Sequence, residues 1–231
     1  MLISKLKRLV LLRHAESFAN AIKGGRVHVD TEEELRALCR WSDEKVPLTP
    51  AGIIQAQQAG IGLAARYGYF DCAYHTGYER SRQTLAEILK QFPWWHTEVR
   101  EEIRFRERES GYGHYMTRAT YEARYPEMKA YWDLVGPFFS VPPGGESVAG
   151  LREARTLPAL QELLGDPSLC NKSIIIVLHG RSMTAVKYDL DIWNPQQASN
   201  FMQYDNPKNC EGFLYERSSQ SNILELIGPA L

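Results

Sequence analysis

The stretch RLVLLRHAESFAN, residues 8–20, decides the fold. Its first part is a hydrocarbon run from Leu9 to Leu12, typical of a buried strand, and the run stops at Arg13 and His14. In an open α/β sheet, ligands bind in the crevice beyond the carboxyl ends of the strands, where side chains such as these project. We therefore expect Arg13 and His14 to belong to a binding or catalytic site at that edge.

Strand-like and helix-like segments alternate along the rest of the chain, which predicts a mostly parallel central sheet with helices on both faces. The clearest helix has Thr49 as its N-cap, Pro50 as its first residue and Gly68 as its stop. The remaining predicted strands are FDCAYH (residues 70–75), KSIIIVLHG (172–180) and a closing hairpin in GFLYERSSQSNILEL (212–226).

Further helices are predicted on both sides of an irregular middle region. The segment ERSRQTLAEILKQF (79–92) has apolar residues at helical spacing, and Pro93 ends it. The middle region reads as long loops plus one helix, roughly Tyr121 to Leu134. Helix returns from Glu146 to Leu164, with Pro158 as a kink.

Composition restricts the possible partners. The 231 residues include 27 Lys and Arg against 28 Asp and Glu, a net charge of −1, so we expect neither a nucleic-acid nor a membrane partner. No apolar run reaches the roughly 18 residues of a membrane span, and no internal linker divides residues 1–231. We expect one cytoplasmic domain without a metal or cofactor, and the sequence makes no prediction of oligomeric state. The scattered cysteines, which suggest neither zinc nor disulfides, are Cys39, Cys72, Cys170 and Cys210.

A second strand ends in the same way as the first. The run from Ile174 to Leu178 is followed by His179 and Gly180. If the two strands are parallel, His14 and His179 lie at the same edge of the sheet. A single histidine is usually an ordinary core or surface residue, but two that each end an apolar run favour a functional site.

Arg80 lies in the first turn of a helix that follows another predicted strand. The helix dipole disfavours a cation at this end, so an arginine there is explained if an anion lies beside it. The helix start and the guanidinium group would then converge on one phosphate. A solvated helical arginine is the alternative, and spacing alone fits Arg82 equally well.

Six segments resemble, in order, the motifs of the histidine phosphatase superfamily, in the branch that contains phosphoglycerate mutases and their phosphatase relatives. The resemblance covers most of the chain and implies a single phosphoglycerate mutase-like α/β domain. The segments are LLRHAESFAN (11–20), LTPAGIIQA (48–56), YHTGYERSRQT (74–84), FRERESG (105–111), PPGGES (142–147) and VLHG (177–180).

The resemblance also implies a role for each matching residue. His14 would attack phosphorus and carry a phosphohistidine, and Glu107 would be the general acid and base, with Glu109 as the alternative acid. A neutral imidazole approaches a phosphate dianion without repulsion, and arginines match phosphate oxygens in bidentate geometry without a metal. The implied catalytic residues are His14, Glu107, Arg13, Arg80 and His179, and the implied substrate-binding residues are Arg13, Asn20, Arg80, His179 and Gly180.

Three activities remain open for such a chain. We favour a phosphatase for a small phosphorylated molecule, because the arginine pair with which mutases of this family hold the substrate carboxylate is missing. Arg108 is retained after the acid, so a mutase is the alternative, and a non-catalytic phosphate-binding scaffold is the third reading. The candidate substrate-selecting residues are Arg26, His28, Arg108, Tyr112, Tyr115 and Arg118.

The segment from Ile22 to Val46 is longer than the usual connection in the mutases. The stretch TEEELRALCRW (31–41) within it predicts a short helix. This segment is either a lid over the site or a surface helix packed through its leucines and Trp41.

Overall fold

The hydrocarbon run of residues 9–12 forms the centre of the first strand, and every side chain in it is buried. The computed structural model describes residues 2–92 and 96–231. One six-stranded sheet has the order β3-β2-β4-β1-β5-β6. The first four strands in this order pair in parallel, whereas β5 pairs antiparallel with β1 and β6 pairs antiparallel with β5. The strands are β1 (Arg8–Arg13), β2 (Cys72–His75), β3 (Glu98–Glu101), β4 (Ser173–Leu178), β5 (Gly212–Arg217) and β6 (Leu224–Pro229).

Helices cover both faces of this sheet, because successive side chains of a strand point to opposite sides. Leu9 and Leu11 pack in a core cluster with α8 and α9, whereas Val10 and Leu12 pack with α3 and α4. The helices are α1 (Phe18–Lys23), α2 (Glu32–Leu38), α3 (Pro50–Tyr67), α4 (Glu79–Leu89), α5 (Arg118–Arg124), α6 (Met128–Val135), α7 (Val148–Leu151), α8 (Leu157–Gly165), α9 (Gly180–Leu190) and α10 (Pro195–Tyr204).

The predicted fold class is confirmed, and several local signals are seen directly. The Thr49 side chain accepts a hydrogen bond from the Gly52 backbone N–H and caps α3, which begins at Pro50. Gly68 follows the helix with a φ of 74°, a conformation that glycine adopts without strain. The closing hairpin is formed by β5 and β6. The prediction that Pro93 ends the helix of residues 79–92 falls outside the described residues; α4 itself ends at Leu89.

The single helix predicted from about Tyr121 to Leu134 is wrong. Two helices, α5 and α6, occupy this region and are separated by residues 125–127. Pro126 explains the break, since the residue before a proline is disfavoured in the helical conformation and Tyr125 has a ψ of 61°.

Two further segments differ from the prediction. The helix predicted from Glu146 begins at Val148. A π-helical turn, Arg152–Thr156, lies between α7 and α8 just before Pro158. Proline has no backbone N–H to donate to a helix. Strand β3 was not predicted, because three of its four residues are exposed and it therefore lacks an apolar pattern. No helix in residues 2–92 and 96–231 is both long enough and apolar enough to cross a membrane.

Candidate active site

His14 and His179 meet at the carboxyl edge of the sheet. Parallel pairing sets Arg13 at the end of β1 against Leu178 at the end of β4, so the residues that follow both strands are neighbours. The His14 backbone N–H donates to the Leu178 carbonyl at 2.9 Å. The two imidazole ring centroids are 5.0 Å apart. The parallel strands therefore place both histidines side by side at this edge of the sheet.

The backbone fixes the orientation of the His14 ring. Its Nδ1 lies 2.7 Å from the Ala15 carbonyl, which can only accept a hydrogen bond, so the proton is on Nδ1. Within the described residues no partner binds Nε2, which keeps its lone pair. Burial lowers the pKa of His14 well below its ordinary value, and the charges of Arg80 and Arg13 lower it further. His14 is therefore a neutral, oriented imidazole at pH 7.

His179 is fully buried beside it. Its Nε2 lies 2.7 Å from the Thr76 hydroxyl, and its Nδ1 is buried without a hydrogen-bond partner in the described part of the chain. Burial lowers the pKa of His179 well below its usual range, with smaller contributions from Arg80 and His14. Nδ1 is thus a polar atom still available to a ligand. Thr76, the residue after β2, is not among the site residues predicted from the sequence.

Arg80 approaches the two histidines from the first turn of α4. Its side chain is buried, and its guanidinium carbon lies 4.7 Å from the centre of the Tyr78 ring. Nη1 donates to the Asp43 carbonyl at 2.5 Å and lies 3.2 Å from the Asp43 carboxylate. Arg82 is instead exposed and pairs with Glu79 at 2.6 Å. The structure thus brings Arg80, and not Arg82, to the histidines.

The loop between α10 and β5 holds Arg13 in place. Its Nη1 donates to the Pro207 carbonyl at 2.6 Å, and the Asn209 side chain donates to the His14 carbonyl at 2.8 Å. The Nε of Arg13 is buried and has no partner among the described residues. Burial lowers the pKa of Arg13 from its ordinary value. No local pattern in the sequence identified this loop as part of the site.

Glu107 lies on a cleft of about 520 Å³ that is also lined by Arg13 and Gly180, the sequence neighbours of His14 and His179. Its carboxylate accepts hydrogen bonds from the backbone N–H groups of Arg108, at 2.8 Å, and Arg181, at 3.2 Å. Glu109 is exposed, and its carboxylate is 3.7 Å from Arg106 instead. Of the two candidate acids, Glu107 is the one that lines the cleft. Other residues of the predicted site that line it are Arg13, Asn20 and Gly180.

The candidate substrate-selecting residues divide into two groups. Arg26 and Arg108 line the cleft. The other four do not: His28 stacks on Tyr121, Arg118 pairs with Asp30, and Tyr112 and Tyr115 are exposed. Cations and amides that line the cleft but are not among the predicted site residues are Lys23, Arg181, Asn206, Lys208 and Asn209.

No group of three or more metal-ligating His, Cys, Asp or Glu side chains occurs in the described ranges. Positive charge at the site comes from arginines, which suit an anion rather than a cation.

Comparison with known proteins agrees with this geometry. The profile described as "Histidine phosphatase superfamily (branch 1)" matches residues 9–220. The chain is 29% identical over 227 residues to the phosphoglycerate mutase-like protein AT74H of Arabidopsis thaliana, covering 89% of this chain and 72% of that protein. It is 30% identical over 175 residues to the 2,3-bisphosphoglycerate-dependent phosphoglycerate mutase of Cytophaga hutchinsonii, covering 75% of this chain and 78% of the mutase.

A solved structure shares the fold. The mycobacterial glucosyl-3-phosphoglycerate phosphatase superposes with a TM-score of 0.68 at 20% identity, over 96% of this chain and 98% of that one. The chain therefore belongs to branch 1 of the histidine phosphatase superfamily.

Proposed function

We propose that the protein is a phosphatase that hydrolyses phosphate monoesters through a phosphohistidine on His14. The observation that carries the proposal is the state of His14: its Nδ1 is bound to the Ala15 carbonyl, its Nε2 is unpartnered within the described chain, and its pKa is lowered by burial beside Arg80. A neutral imidazole held in this way can attack an anionic phosphate.

In the first step, His14 Nε2 forms a bond to phosphorus as the bond from phosphorus to the ester oxygen breaks. Glu107, in its protonated form, gives its proton to the leaving oxygen, and the alcohol departs. The guanidinium groups of Arg13 and Arg80 would contact the phosphoryl oxygens, where charge is concentrated in the transition state. The Nδ1–H of His179 would donate to another of these oxygens while its Nε2 accepts from the Thr76 hydroxyl. In this proposal the backbone N–H of Gly180, at the start of α9, and the side chain of Asn20 complete the substrate contacts.

In the second step, water takes the place of the alcohol. Glu107, now a carboxylate, removes a proton from the water as its oxygen bonds to phosphorus. The bond from phosphorus to Nε2 breaks, so phosphate is released and neutral His14 is regenerated. Glu107 ends the cycle protonated, so the sequence of steps balances without a metal or another cofactor.

A mutase remains the second candidate, because a relative 30% identical to this chain is a phosphoglycerate mutase. A mutase must return the phosphoryl group to an organic hydroxyl before water reaches it. Hydrolysis is favoured here because Glu107 lines the cleft and is partly exposed, so that it can reach water. A non-catalytic scaffold would not need a nucleophile and an acid together with the two arginines.

The test measures phosphate release from p-nitrophenyl phosphate, and from 3-phosphoglycerate with and without 2,3-bisphosphoglycerate. We expect release from both substrates without the bisphosphate, and a loss of about 10³-fold or more in kcat for His14→Ala. Conversion to 2-phosphoglycerate that depends on the bisphosphate would instead identify a mutase. Absence of phosphate release from every monoester, or an active His14→Ala variant, would refute the proposal.

The role of Glu107 is tested with two leaving groups. p-Nitrophenolate departs without a proton, whereas an alkoxide requires one. We expect Glu107→Gln to lower phosphohistidine formation about 10²-fold or more with glycerol 3-phosphate, and much less with p-nitrophenyl phosphate. Glu109→Gln is the matched control and should behave as wild type with both. Equal losses in Glu107→Gln with the two substrates would argue against general-acid catalysis.

A further inference from the structure

A second cavity, of about 580 Å³, lies between the end of α9, α10 and the strands β5 and β6. Most of the side chains that line it are apolar, and they include the aromatic rings of Trp193, Phe201 and Phe213. Its volume is typical of small-molecule sites. Among the described residues, none lines both this cavity and the cleft that contains Glu107. The proposed catalytic steps therefore make no use of it.

Lys187 is a buried cation in the wall of this cavity, and its charge is already compensated. Its Nζ lies 2.7 Å from the Asp191 carboxylate, donates to the Tyr215 hydroxyl at 2.8 Å and is 3.7 Å from the centre of the Phe213 ring. The Tyr215 hydroxyl in turn donates to Asp191 at 2.9 Å. An ammonium group has three protons to donate, and these three contacts account for all of them. We therefore do not expect Lys187 to attract an anion.

Two acids at the cavity lack such compensation. Asp205 and Glu225 line it and are exposed, and within residues 2–92 and 96–231 neither carboxylate has a basic side-chain nitrogen within 4 Å. Asp191 and Asp205 are also the C-cap residues of α9 and α10, and α10 has no basic residue in its last turn. A helix C-terminus carries partial negative charge, which favours a cation. The electrostatic potential of the cavity therefore favours a positively charged ligand.

The surroundings of these acids favour one kind of cation. Aromatic faces attract ammonium and guanidinium groups, and apolar side chains bury the hydrocarbon body of a ligand. A metal ion would instead need a cluster of oxygen ligands. No group of three or more metal-ligating His, Cys, Asp or Glu side chains occurs in the part of the chain that the structure describes. The cavity is therefore suited to an organic cation.

An added β-strand is a poorer occupant, although β6 is the last strand of the sheet. The pairing of β5 with β6 has an irregular register between Leu214 and Tyr215, and β6 ends in Gly228, with a φ of 150°, and Pro229. A bulge twists an edge strand away from a straight partner, and proline cannot donate a hydrogen bond to one. A small molecule fits the cavity better than an extended peptide or the β6 edge of a second copy.

We propose that this cavity binds a small organic cation, in which an ammonium or guanidinium group is attached to an apolar body. The charged group lies on the exposed side of the cavity with Asp205 and Glu225, and the apolar body packs on Trp193, Phe201 and Phe213. Helix α9 begins at the catalytic edge of the sheet and ends at this cavity, so its 11 residues separate the two sites by about 16 Å. The cation therefore binds whether or not the protein is a phosphatase.

The experiment uses three probes that share a phenylethyl group and differ in charge. They are the cation 2-phenylethylammonium, the anion 3-phenylpropionate and the neutral 2-phenylethanol. Isothermal titration calorimetry with the full chain should give a dissociation constant of about 1 mM or lower for the cation. The anion should bind at least about tenfold more weakly than the cation, and the neutral molecule should lie between them. Orthovanadate, a phosphate analogue for the catalytic site, should not compete with the cation.

Variants connect this binding with the cavity. Asp205→Asn and Glu225→Gln should each weaken binding of the cation about threefold and leave binding of 2-phenylethanol unchanged. Glu122→Gln removes an exposed carboxylate from α5 and should bind the cation as wild type does. Leu226→Arg brings a guanidinium group of the chain itself to the cavity and should abolish binding of the cation. Ile227→Arg, at the next residue of β6, changes a residue outside the cavity lining and should retain most of it.

Equal affinity for 2-phenylethylammonium and 3-phenylpropionate would overturn the proposed site, as would the absence of any binding of the cation. Wild-type affinity in Asp205→Asn, Glu225→Gln and Leu226→Arg together would show that the cation binds elsewhere and would also overturn it. Sedimentation velocity measures self-association of the same proteins. Self-association that Leu226→Arg abolishes and Ile227→Arg does not would identify a second copy of the chain as the occupant instead.

Discussion

The carboxylate of Asp43 lies 3.2 Å from Nη1 of Arg80, so the arginine that we propose binds phosphate is already paired with an acid. Asp43 belongs to a 3-10 turn, Asp43–Lys45, within the long connection between α1 and α3. A phosphate dianion that approaches Arg80 must share the guanidinium with this carboxylate or displace it. We therefore expect the affinity for phosphate to depend on Asp43, although Asp43 does not need to contact phosphate.

Asp43→Asn should tighten binding of phosphate and orthovanadate several-fold, because it removes the competing charge and leaves Arg80 uncompensated. For the same reason the ligand-free variant should melt below the wild-type temperature. Added phosphate should raise the melting temperature of the variant by more than it raises that of wild type. Thermal denaturation with increasing phosphate measures both effects. Glu44→Gln, a change at an exposed neighbouring acid, is the control and should match wild type. Weaker phosphate binding by Asp43→Asn would show that the carboxylate positions Arg80 instead.

Stability should fall in mild acid because of buried histidines, above all His14 and His179. The folded protein holds the pKa of His14 and of His179 well below the ordinary value of 6.5. As pH falls through about 6.5, the unfolded chain takes up protons first, so the free energy of unfolding decreases by up to about 1.4 kcal/mol per pH unit for each histidine. Above about pH 6.5 this contribution is fully present.

Urea denaturation at about pH 7.5 and about pH 5.5 measures that slope. Changing either histidine to Gln should make the slope shallower, whatever the change does to stability at neutral pH. His96→Gln, at an exposed position, should leave the slope as in wild type. Parallel slopes in all of these proteins would contradict the lowered pKa values.

Thr84 connects the nucleophile with the phosphate-binding helix. It does so in the sense that its hydroxyl accepts from the buried N–H of Ala15, next to the proposed nucleophile His14, at 3.0 Å and donates to the carbonyl of Arg80, the proposed phosphate ligand in α4, at 2.6 Å. Thr84→Val keeps the shape but leaves that N–H unsatisfied, which should cost about 1–3 kcal/mol of unfolding free energy. Thr84→Ser retains the hydroxyl and should lose less. A Val variant as stable as the Ser variant would show that this hydrogen bond contributes nothing.

Chelation should not affect activity. The proposed steps use arginines for charge stabilisation, and the described residues contain no cluster able to hold a metal ion. Hydrolysis of p-nitrophenyl phosphate should therefore be the same before and after dialysis against EDTA. A loss of activity that Mg²⁺ or Zn²⁺ restores would contradict the scheme.

The sequence was sufficient for the parts of the fold that have a local signal. Buried strands are apolar runs, so Leu9 to Leu12 and Ile174 to Leu178 were recognisable, as were the polar residues that end them. Strand β3 has no such run. The break at Pro126 does have a signal, the restriction that a proline places on Tyr125, but the single helix predicted from about Tyr121 to Leu134 runs through it.

The site was predictable only as far as its motifs extend. His14, Arg80 and His179 lie in segments that resemble family motifs, and the structure brings them together. Asp43 and the loop that contains Pro207 and Asn209 reach the site through tertiary packing between segments far apart in the chain. Such contacts leave no periodicity in the sequence. The role of residues 22–46 as a lid stays a prediction.

The pairing of β1 with both β4 and β5 has a consequence for synthesis. The first strand is synthesised before its neighbours on either side, β4 and β5, and before the loop that binds Arg13 and His14. Until these segments are made, β1 has no neighbouring strand with which to pair. The nascent chain should therefore acquire phosphate-binding ability in one late step.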